Sequence, residues 1–251
     1  MPGDDGVDPR VAIVTGAAGG LGSAVVRAIA ADCRVVIAVD LDAGRIANAV
    51  GPSVQNVVPV AADLADWAAC ERVVADVVAQ HGRVDILVNS AAILRRTELD
   101  DVDRDVFAHI FDVNCRSTFV LMRAAVRDME TRGWGRIVNV TSIGVHTGGY
   151  SLTSVVYEAT KAAVGNFTRT FARYGAPRGI LVNSVAPGGM RTQMLTDETP
   201  ADLLARAVQD IPLGRLAEPE EVAAVVAHLA GEANSYASGA TFDVNGGVVM
   251  P

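Results

Sequence analysis

The sequence predicts an α/β protein, namely a single-domain, Rossmann-type, doubly wound parallel sheet of about seven strands with helices on both faces. Short runs of Val, Ile and Leu alternate with segments of helical periodicity along the chain, and this alternation is typical of a parallel sheet. Several runs are almost entirely apolar, as in strands that are covered on both faces. A glycine-rich segment separates the first run from the first helical segment, which is typical of a nucleotide-binding βα unit.

Seven runs are predicted as strands because each is short, apolar and rich in β-branched residues. They are residues 10–15, 34–40, 56–61, 84–89, 135–141, 179–186 and 240–245. Three helices are predicted at 66–82, 154–175 and 218–231. The first begins at a capping residue, Asp66, and ends at Gly82, whereas the third has Pro219 and two glutamates in its first turn.

Two parts of the chain lack such signals. Residues 1–8 are polar and acidic, and we expect them to form a disordered tail of a single domain that spans 1–251. Residues 187–217 show neither clear strand nor clear helix periodicity. Their central part, 189–214, is predicted to form a lid over a bound substrate, because long segments without secondary structure are often functional.

Composition and charge exclude several function classes. The chain of 251 residues has a formal net charge of −8, which argues against binding to nucleic acid or to anionic membranes. It contains no apolar run of 18 residues and no secretory signal, so we expect no membrane span. Three cysteines without pair spacing and four histidines without metal-ligand spacing predict reduced thiols, no metal site and a cytoplasmic location.

The glycine-rich segment favours a dinucleotide. Gly16, Gly20 and Gly22 allow a tight turn in which the backbone approaches a pyrophosphate at a helix N-terminus. Asp40 ends the second predicted strand, where a carboxylate accepts hydrogen bonds from ribose hydroxyls and repels a 2′-phosphate. No Lys or Arg lies in the loop or directly after Asp40, so NAD is favoured over NADP. A P-loop is excluded because no lysine follows the glycines, whereas an S-adenosylmethionine-dependent methyltransferase remains an alternative.

The only lysine of the chain stands four residues after a tyrosine. The other basic residues are all arginines, and Tyr157 and Lys161 share one face of the predicted helix. A nearby ammonium favours the phenolate form of a tyrosine, so Tyr157 could exchange a proton with an alcohol or a ketone near neutral pH. Lysine suits this role better than arginine because its ammonium is compact and has three hydrogens to donate.

These motifs together resemble the short-chain dehydrogenase/reductase family over about residues 9–250. The family pattern TGxxxGxG matches residues 15–22, and the pattern YxxxK matches Tyr157 and Lys161. The family motif Asn-Asn-Ala-Gly is matched only in part, because residues 89–92 read NSAA. The resemblance implies the same Rossmann-type fold and an NAD(P)-dependent oxidoreductase.

The resemblance also implies a set of site residues. The catalytic residues would be Asn114, Ser142, Tyr157 and Lys161. The cofactor would contact Gly16, Gly20, Leu21, Gly22, Asp40, Leu41, Asp63, Leu64, Asn89, Ala91, Tyr157, Lys161, Pro187, Gly188 and Thr192. The segment between Ser142 and Tyr157 is longer than in the family, so Ser151 or Ser154 is an alternative serine. We favour Ser142 because it stands at the end of a predicted strand.

The implied activity is NAD-dependent hydride transfer between nicotinamide and a secondary alcohol or ketone, in a homotetramer that binds a small-molecule substrate. Tyr157 would exchange a proton with the substrate oxygen, which Ser142 would orient. Lys161 would lower the pKa of the tyrosine and hold the nicotinamide ribose, and Asn114 would position a water beside the lysine. Two alternatives are a 3-oxoacyl-(acyl carrier protein) reductase and a non-catalytic NAD-binding regulator. The reductase role usually goes with NADPH, and Asp40 therefore argues against it.

The substrate itself is not specified by the sequence. Met190, Met194 and Leu195 in the predicted lid would suit an apolar or small neutral alcohol. Three arginines near the predicted site are expected to be solvated surface charges rather than substrate contacts. They are Arg95, Arg96 and Arg191.

Overall fold

The computed structural model describes residues 10–148, 152–199 and 201–250. Within these ranges seven parallel strands form one sheet in the order β3-β2-β1-β4-β5-β6-β7. The strands are β1 (Val11–Thr15), β2 (Val35–Asp40), β3 (Val57–Ala61), β4 (Ile86–Asn89), β5 (Gly135–Val140), β6 (Ile180–Pro187) and β7 (Thr241–Val244). Every predicted strand agrees with an observed one to within about two residues, so the predicted fold class is confirmed.

Helices cover both faces of this sheet. They are α1 (Gly20–Ile29), α2 (Ala43–Val50), α3 (Trp67–His81), α4 (Arg104–Phe111), α5 (Ser117–Met129), α6 (Gly144–Thr147), α7 (Val155–Gly175), α8 (Gln193–Glu198), α9 (Ala201–Gln209) and α10 (Pro219–Ala230). A π-helical turn, Asp112–Arg116, joins α4 to α5. The tail expected at 1–8 lies outside the described residues.

Alternate residues of each strand supply two separate cores. In β1, Ala12 and Val14 pack into a core with apolar residues of α1, α2 and α10. Val11 and Ile13 of the same strand pack into a second core with residues of α3 and α5. Because successive strand side chains point to opposite faces, a strand that is buried on both faces must be apolar throughout, as the sequence indicated.

The direction of chain connection changes at β1 and leaves a crevice there. From β1 the chain adds β2 and β3 on one side, and then returns to place β4, β5, β6 and β7 on the other. Thr15 at the end of β1 is paired with Asn89 at the end of β4, so both strands end at the same edge. Ligands of open α/β sheets bind at such a switch point, outside the carboxyl ends of the strands.

The three predicted helices are present, with the ends that their sequences indicated. Asp66 accepts a hydrogen bond from the Ala68 N–H at the start of α3, and Gly82 adopts a left-handed conformation at its end, with a φ of 81°. At α10, Glu218 and Glu221 form a capping box. These local interactions satisfy backbone groups that a helix terminus leaves without partners.

The interpretation of 187–217 as a segment without strand or helix signals is wrong in part, because the predicted lid, 189–214, contains α8 and α9. Each helix has fewer than ten residues, and Pro200 separates them in the sequence. Helices of this length give too little periodicity to be distinguished from a loop, and they depend on tertiary packing for stability.

The described residues can be examined for a membrane span, a metal site and disulfide bonds. None of the described helices is both long and apolar enough to cross a membrane. No group of three or more acidic, histidine or cysteine side chains in the described ranges is arranged to hold a metal ion. Cys33, Cys70 and Cys115 are buried and form no disulfide bond, in agreement with the interpretation of them as small core residues.

A buried carboxylate joins the amino ends of the central strands. Asp85 has no exposed surface and accepts a hydrogen bond of 2.8 Å from the Val11 N–H. The Arg83 guanidinium contacts the same carboxylate at 2.6 Å, and Arg132 Nε lies 3.8 Å away. Without Asp85 the Val11 N–H would lose its acceptor, and the partly exposed Arg83 guanidinium would lose its carboxylate partner.

We therefore expect Asp85→Ala to lower the free energy of unfolding by about 1–3 kcal/mol, the usual loss when a buried donor is left without its acceptor. Urea denaturation measures this change. The control is Asp76→Ala, an exposed position of α3, which should change the free energy of unfolding by no more than about 0.5 kcal/mol. Equal effects of the two substitutions would show that the buried carboxylate does not hold the strands together.

Candidate active site

The loop between β1 and α1 has a shape that only glycine permits. Gly16 has a φ of +67°, and a Cβ atom there would lie 2.8 Å from the Cα of Ala91. A Cβ on Gly22 would lie 2.0 Å from the Gly16 carbonyl oxygen. No side chain caps the start of α1, so its first N–H groups are available to an anion. The loop therefore fits the pyrophosphate of a dinucleotide cofactor.

This loop forms one wall of a cavity of about 400 Å³ at the carboxyl edge of the sheet. The other walls come from the segments that follow β2, β4, β5 and β6, and from α7. The predicted site residues that line the cavity are Gly16, Gly20, Leu21, Gly22, Asp40, Ser142, Tyr157, Lys161, Pro187, Gly188 and Thr192. The structure thus brings together residues that are far apart in the sequence.

Three of the four residues predicted for catalysis line the cavity at the end of β5. Lys161 is 2% exposed, and its Nζ donates a 2.8 Å hydrogen bond to the carbonyl oxygen of Val140, the last residue of β5. The same Nζ lies 5.5 Å from the centre of the Tyr157 ring. Ser142 follows two residues after Val140, and its Oγ accepts a hydrogen bond of 3.1 Å from the Gly144 N–H.

The alternative serines do not replace Ser142 at this cavity. Ser154 is buried immediately before α7, and it is not one of the cavity-lining residues. Ser151 lies outside the described residues. Ser142 lines the cavity and remains the predicted catalytic serine.

Burial controls the charge state of the catalytic pair. It lowers the pKa of Lys161 to about 8, with a partial opposing effect from Glu158 and Cys115. It also raises the pKa of Tyr157, and the charge of Glu158 adds to this shift. The net shift of the Tyr157 pKa is thus upward, and the effect of Lys161 on this tyrosine stays a prediction. The cost of a buried phenolate exceeds the attraction of an ammonium that is itself desolvated and bonded to a carbonyl.

Asp40 supports the glycine loop and faces the cavity. Its Oδ2 accepts a hydrogen bond of 2.9 Å from the Ala18 N–H, and its Oδ1 accepts one of 2.8 Å from the Leu41 N–H. Arg45, which the sequence reasoning missed, lines the same cavity. No sequence motif marks its position in α2. An arginine near the ribose can pair with the 2′-phosphate of NADP.

The residues of the partly matched motif after β4 have two roles. Some line the cavity, and others form hydrogen bonds that hold the neighbouring strand ends in place. Ser90 and Ala92 line the cavity, and the Thr15 hydroxyl accepts hydrogen bonds of 3.1 Å from the N–H groups of Ser90 and Ala91. Asn89 is buried, and its amide donates to an asparagine of β5 at 2.8 Å. Asn89 thus fixes the neighbouring strand ends, and Ser90 and Ala92 were missed because the motif match was incomplete.

Asn114 lies in the π-helical turn, where it holds the segment after β4. Its Oδ1 accepts a hydrogen bond of 2.8 Å from the Ile93 N–H, and its Nδ2 donates one of 2.9 Å to the Ile93 carbonyl. The residue is 1% exposed. π-Helical turns are frequent at functional sites. The role of Asn114 toward a water beside Lys161 stays a prediction.

Five predicted cofactor contacts do not line the cavity: Asn89 and Ala91, described above, and Leu41, Asp63 and Leu64. Asp63 accepts a hydrogen bond from the Ala65 N–H and lines a separate groove between β3 and α3. Leu64 is buried, and Leu41 is 69% exposed. Contacts of these residues with the adenosine part of a cofactor therefore stay predictions.

A second cleft, of about 1240 Å³, lies near the predicted catalytic serine. Ile143 follows Ser142 in the chain and lines this cleft, together with apolar residues of the predicted lid and the segment after it. These are Leu195, Leu204, Ile211 and Leu216. Ser142 and Ile143, which are adjacent in the chain, thus line the cavity and the cleft respectively.

The arginines near this cleft differ in their exposure. Arg95 is exposed, as predicted, and Arg191 is exposed and pairs with Glu218 at 2.9 Å. Arg96 is half-buried, lines the cleft and donates a hydrogen bond of 3.3 Å to the Thr199 hydroxyl. The prediction of a solvated Arg96 is therefore wrong, because the predicted lid covers part of its side chain.

Comparisons with known proteins agree with this geometry. A family model described as enoyl-(acyl carrier protein) reductase matches residues 16–249. The solved structure of a short-chain type dehydrogenase/reductase from Mycobacterium marinum is similar with a TM-score of 0.90 and 29% identity, over 98% of this chain and 97% of that one. The chain belongs to the short-chain dehydrogenase/reductase family. Members of this family are oxidoreductases with nicotinamide cofactors, so the methyltransferase alternative is wrong.

Two curated members of the short-chain dehydrogenase/reductase family have names that state an activity. An acetoacetyl-CoA reductase from Allochromatium vinosum is 33% identical over 246 residues, which cover 96% of this chain and 99% of the relative. A 3-oxoacyl-(acyl-carrier-protein) reductase from Thermotoga maritima is 34% identical over 247 residues, which cover 97% and 99%. Both similarities extend over nearly the full length of each protein.

The buried lysine should make the folded protein less stable at neutral pH. The pKa of Lys161 is about 8 in the fold, against an ordinary value of 10.5. Between about pH 8 and pH 10.5 the lysine is protonated in the unfolded chain but not in the folded protein. Over this range the lysine therefore makes the free energy of unfolding increase with pH. Its destabilising effect is fully present below pH 8, where the buried ammonium must be kept charged.

We therefore expect Lys161→Met to raise the free energy of unfolding at pH 7 by up to about 3 kcal/mol. The difference from the wild type should disappear as the pH approaches the ordinary pKa of lysine. Urea denaturation at several pH values measures it, with Arg173→Met at an exposed position of α7 as the control. A Lys161→Met protein that is less stable than the wild type at pH 7 would contradict this electrostatic account.

Proposed function

We propose that this protein is an NAD-preferring reductase that interconverts 3-oxoacyl and 3-hydroxyacyl thioesters. The observation that carries the proposal is the convergence of Ser142, Tyr157 and Lys161 on the cavity that the glycine loop forms. The names of the curated relatives support the thioester class, and favour it over the simple secondary alcohol of our first interpretation. A homotetramer in the cytoplasm is proposed on family resemblance.

The catalytic residues have distinct tasks in ketone reduction. Tyr157, whose pKa is raised, is a neutral phenol near neutral pH and gives its proton to the ketone oxygen. The Ser142 hydroxyl donates a hydrogen bond to the same oxygen and orients it. The Lys161 ammonium stabilises the phenolate that the proton transfer leaves behind. A bound nicotinamide supplies the hydride for the carbonyl carbon.

The second cleft supports an acyl substrate. Its apolar lid residues offer a surface for an acyl chain, which would be removed from water there. Arg95, Arg96 and Arg206 line the same cleft and could pair with the phosphate groups of a coenzyme A or carrier-protein arm. Glu98, Asp101 and Asp210 also line it, so three carboxylates balance the three arginines and the cleft has no excess of positive charge.

Steady-state assays with acetoacetyl-CoA and with a panel of simple ketones and secondary alcohols test the substrate class. We expect a higher kcat/KM for acetoacetyl-CoA with NADH than for any simple ketone. Turnover of simple alcohols without turnover of acetoacetyl-CoA would overturn the thioester proposal and leave the oxidoreductase. Binding of NADH without turnover of any substrate would instead favour the non-catalytic regulator.

We expect Tyr157→Phe to lower kcat by about 10²–10⁴-fold, since the variant loses the proton donor. NADH binding, followed by fluorescence, should stay close to that of the wild type because the ring is kept. Tyr174→Phe is the control, at an exposed tyrosine that is bonded to Glu130, and it should keep full activity. A normal kcat in Tyr157→Phe would remove this residue from the catalytic role.

We expect Asp40→Ala to raise kcat/KM for NADPH relative to NADH by about tenfold or more, because the substitution removes a negative charge beside the ribose site. Arg45→Ala should change the same ratio in the opposite direction, since it removes the nearest positive charge that lines the cavity. Assays of both variants with both cofactors measure the two ratios. An unchanged ratio in Asp40→Ala would show that another feature sets the cofactor preference.

A further inference from the structure

A glutamate that lines neither cavity is packed against the catalytic serine. Glu158 follows Tyr157 in α7, and its carboxyl group lies between α7 and α6. A Cβ atom on Gly144 would lie 1.6 Å from Glu158 Oε2, so the absence of a side chain at Gly144 makes room for the carboxyl. Oε2 is shielded from solvent and has no hydrogen-bond partner among the residues that the structure describes.

The Glu158 carboxyl and the Gly144 N–H both interact with the Ser142 side chain. The Gly144 N–H donates to Ser142 Oγ at 3.1 Å. The Ser142 side chain is also close enough to the Glu158 carboxyl for a hydrogen bond, which lowers the pKa of Glu158. A hydroxyl group has one hydrogen to donate and two lone pairs. The direction of the Ser142 hydrogen therefore depends on whether the carboxyl donates to it or accepts from it.

The surroundings of Glu158 favour its neutral form. Burial raises the pKa of Glu158, and the opposing effects come from Ser142, Lys161 of the same helix and Arg96 of the segment after β4. The Glu158 charge in turn raises the pKa of Tyr157. A shielded carboxylate oxygen without a donor is costly, whereas the protonated group removes the buried charge.

We propose that Glu158 is a positioning residue that directs the Ser142 hydroxyl. The protonated carboxyl donates to the Ser142 oxygen, so the serine hydrogen is free to bond to the substrate oxygen. The ionised carboxylate accepts the serine hydrogen instead and withdraws it from the substrate. This inference rests on the proposed function, in which Ser142 orients the ketone oxygen.

The consequence is a loss of ketone reduction as the pH rises through the titration of Glu158. The other groups that face Glu158 are Lys161, Tyr157 and Arg96, and of these Lys161 titrates near pH 8. Deprotonation of Lys161 can therefore produce a second, independent decrease at alkaline pH. Only a variant at position 158 that cannot titrate separates the two effects.

The test is the pH dependence of kcat and kcat/KM for acetoacetyl-CoA reduction in Glu158→Gln, Glu158→Ala and the wild type. Glutamine keeps an N–H donor toward Ser142 at every pH. Glu158→Gln should therefore have the kcat that the wild type has at acid pH, without the decrease in kcat that the titration of Glu158 causes. Glu158→Ala should lower kcat by about tenfold or more, with KM changed by less than about threefold. Glu71→Gln on α3, far from the site, is the control and should match the wild type.

A second variant displaces the carboxyl without removing it. The added methyl group of Gly144→Ala would overlap Glu158 Oε2, and it should lower kcat as Glu158→Ala does. A Glu158→Gln profile that superimposes on the wild-type profile, or a wild-type kcat in Glu158→Ala, would overturn the proposal. If Glu158→Ala does not fold, the Glu158→Gln profile decides alone.

Infrared spectroscopy of the protein without substrate gives a readout that does not depend on turnover. The wild type should show the carbonyl stretch of a buried protonated carboxyl that disappears as the pH rises, and Glu158→Gln should lack it. A wild type without this band overturns the role of Glu158. If the band is present but acetoacetyl-CoA is not reduced, it is the proposed function that has failed.

Discussion

The site depends on one hydrogen bond, from the buried ammonium of Lys161 to the Val140 carbonyl at the end of β5. This bond fixes α7 against the carboxyl edge of the sheet. Tyr157, one helical turn earlier, is thereby brought to the same cavity as Ser142, which follows β5. A buried cation destabilises a fold, so its presence here indicates that the geometry of the site is maintained at the expense of stability.

Removal from water is the common cause of the electrostatic behaviour of this site. It is the largest influence on Lys161, on Tyr157 and on Glu158, and in each case it favours the neutral form. A neutral phenol can give a proton but cannot accept one. Under the proposed function, a neutral Tyr157 phenol favours proton donation to a carbonyl over proton acceptance from an alcohol. A cationic nicotinamide beside the phenol would shift the balance toward oxidation.

The sequence was sufficient for the sheet and for most of the cavity, because these depend on local patterns. Strands that are buried on both faces must be apolar throughout, and the turn at Gly16 permits no side chain. The helices of the predicted lid were missed because short helices depend on tertiary packing. Arg45 was missed because the packing of α2 brings it to the cavity. The partial burial of Arg96 was missed because it depends on the packing of the predicted lid.

The charge states of the site were the least predictable feature. The i, i+4 spacing placed Lys161 beside Tyr157 correctly, but the sign of the pKa shift of Tyr157 depends on burial and on Glu158. The position of Glu158 depends in turn on the close approach of α6 at Gly144. Neither quantity is a property of spacing along the chain, because both arise only when α6, α7 and the end of β5 have packed together.

The shielded position of the only lysine has a practical consequence. A lysine-specific endoproteinase has one peptide bond to cleave in this chain, and that bond lies within α7 with the lysine side chain 2% exposed. Cleavage therefore requires α7 to separate from the sheet and yields a single pair of fragments. The rate of this cut reports how often the core of the site opens, and any molecule that holds the site closed slows it.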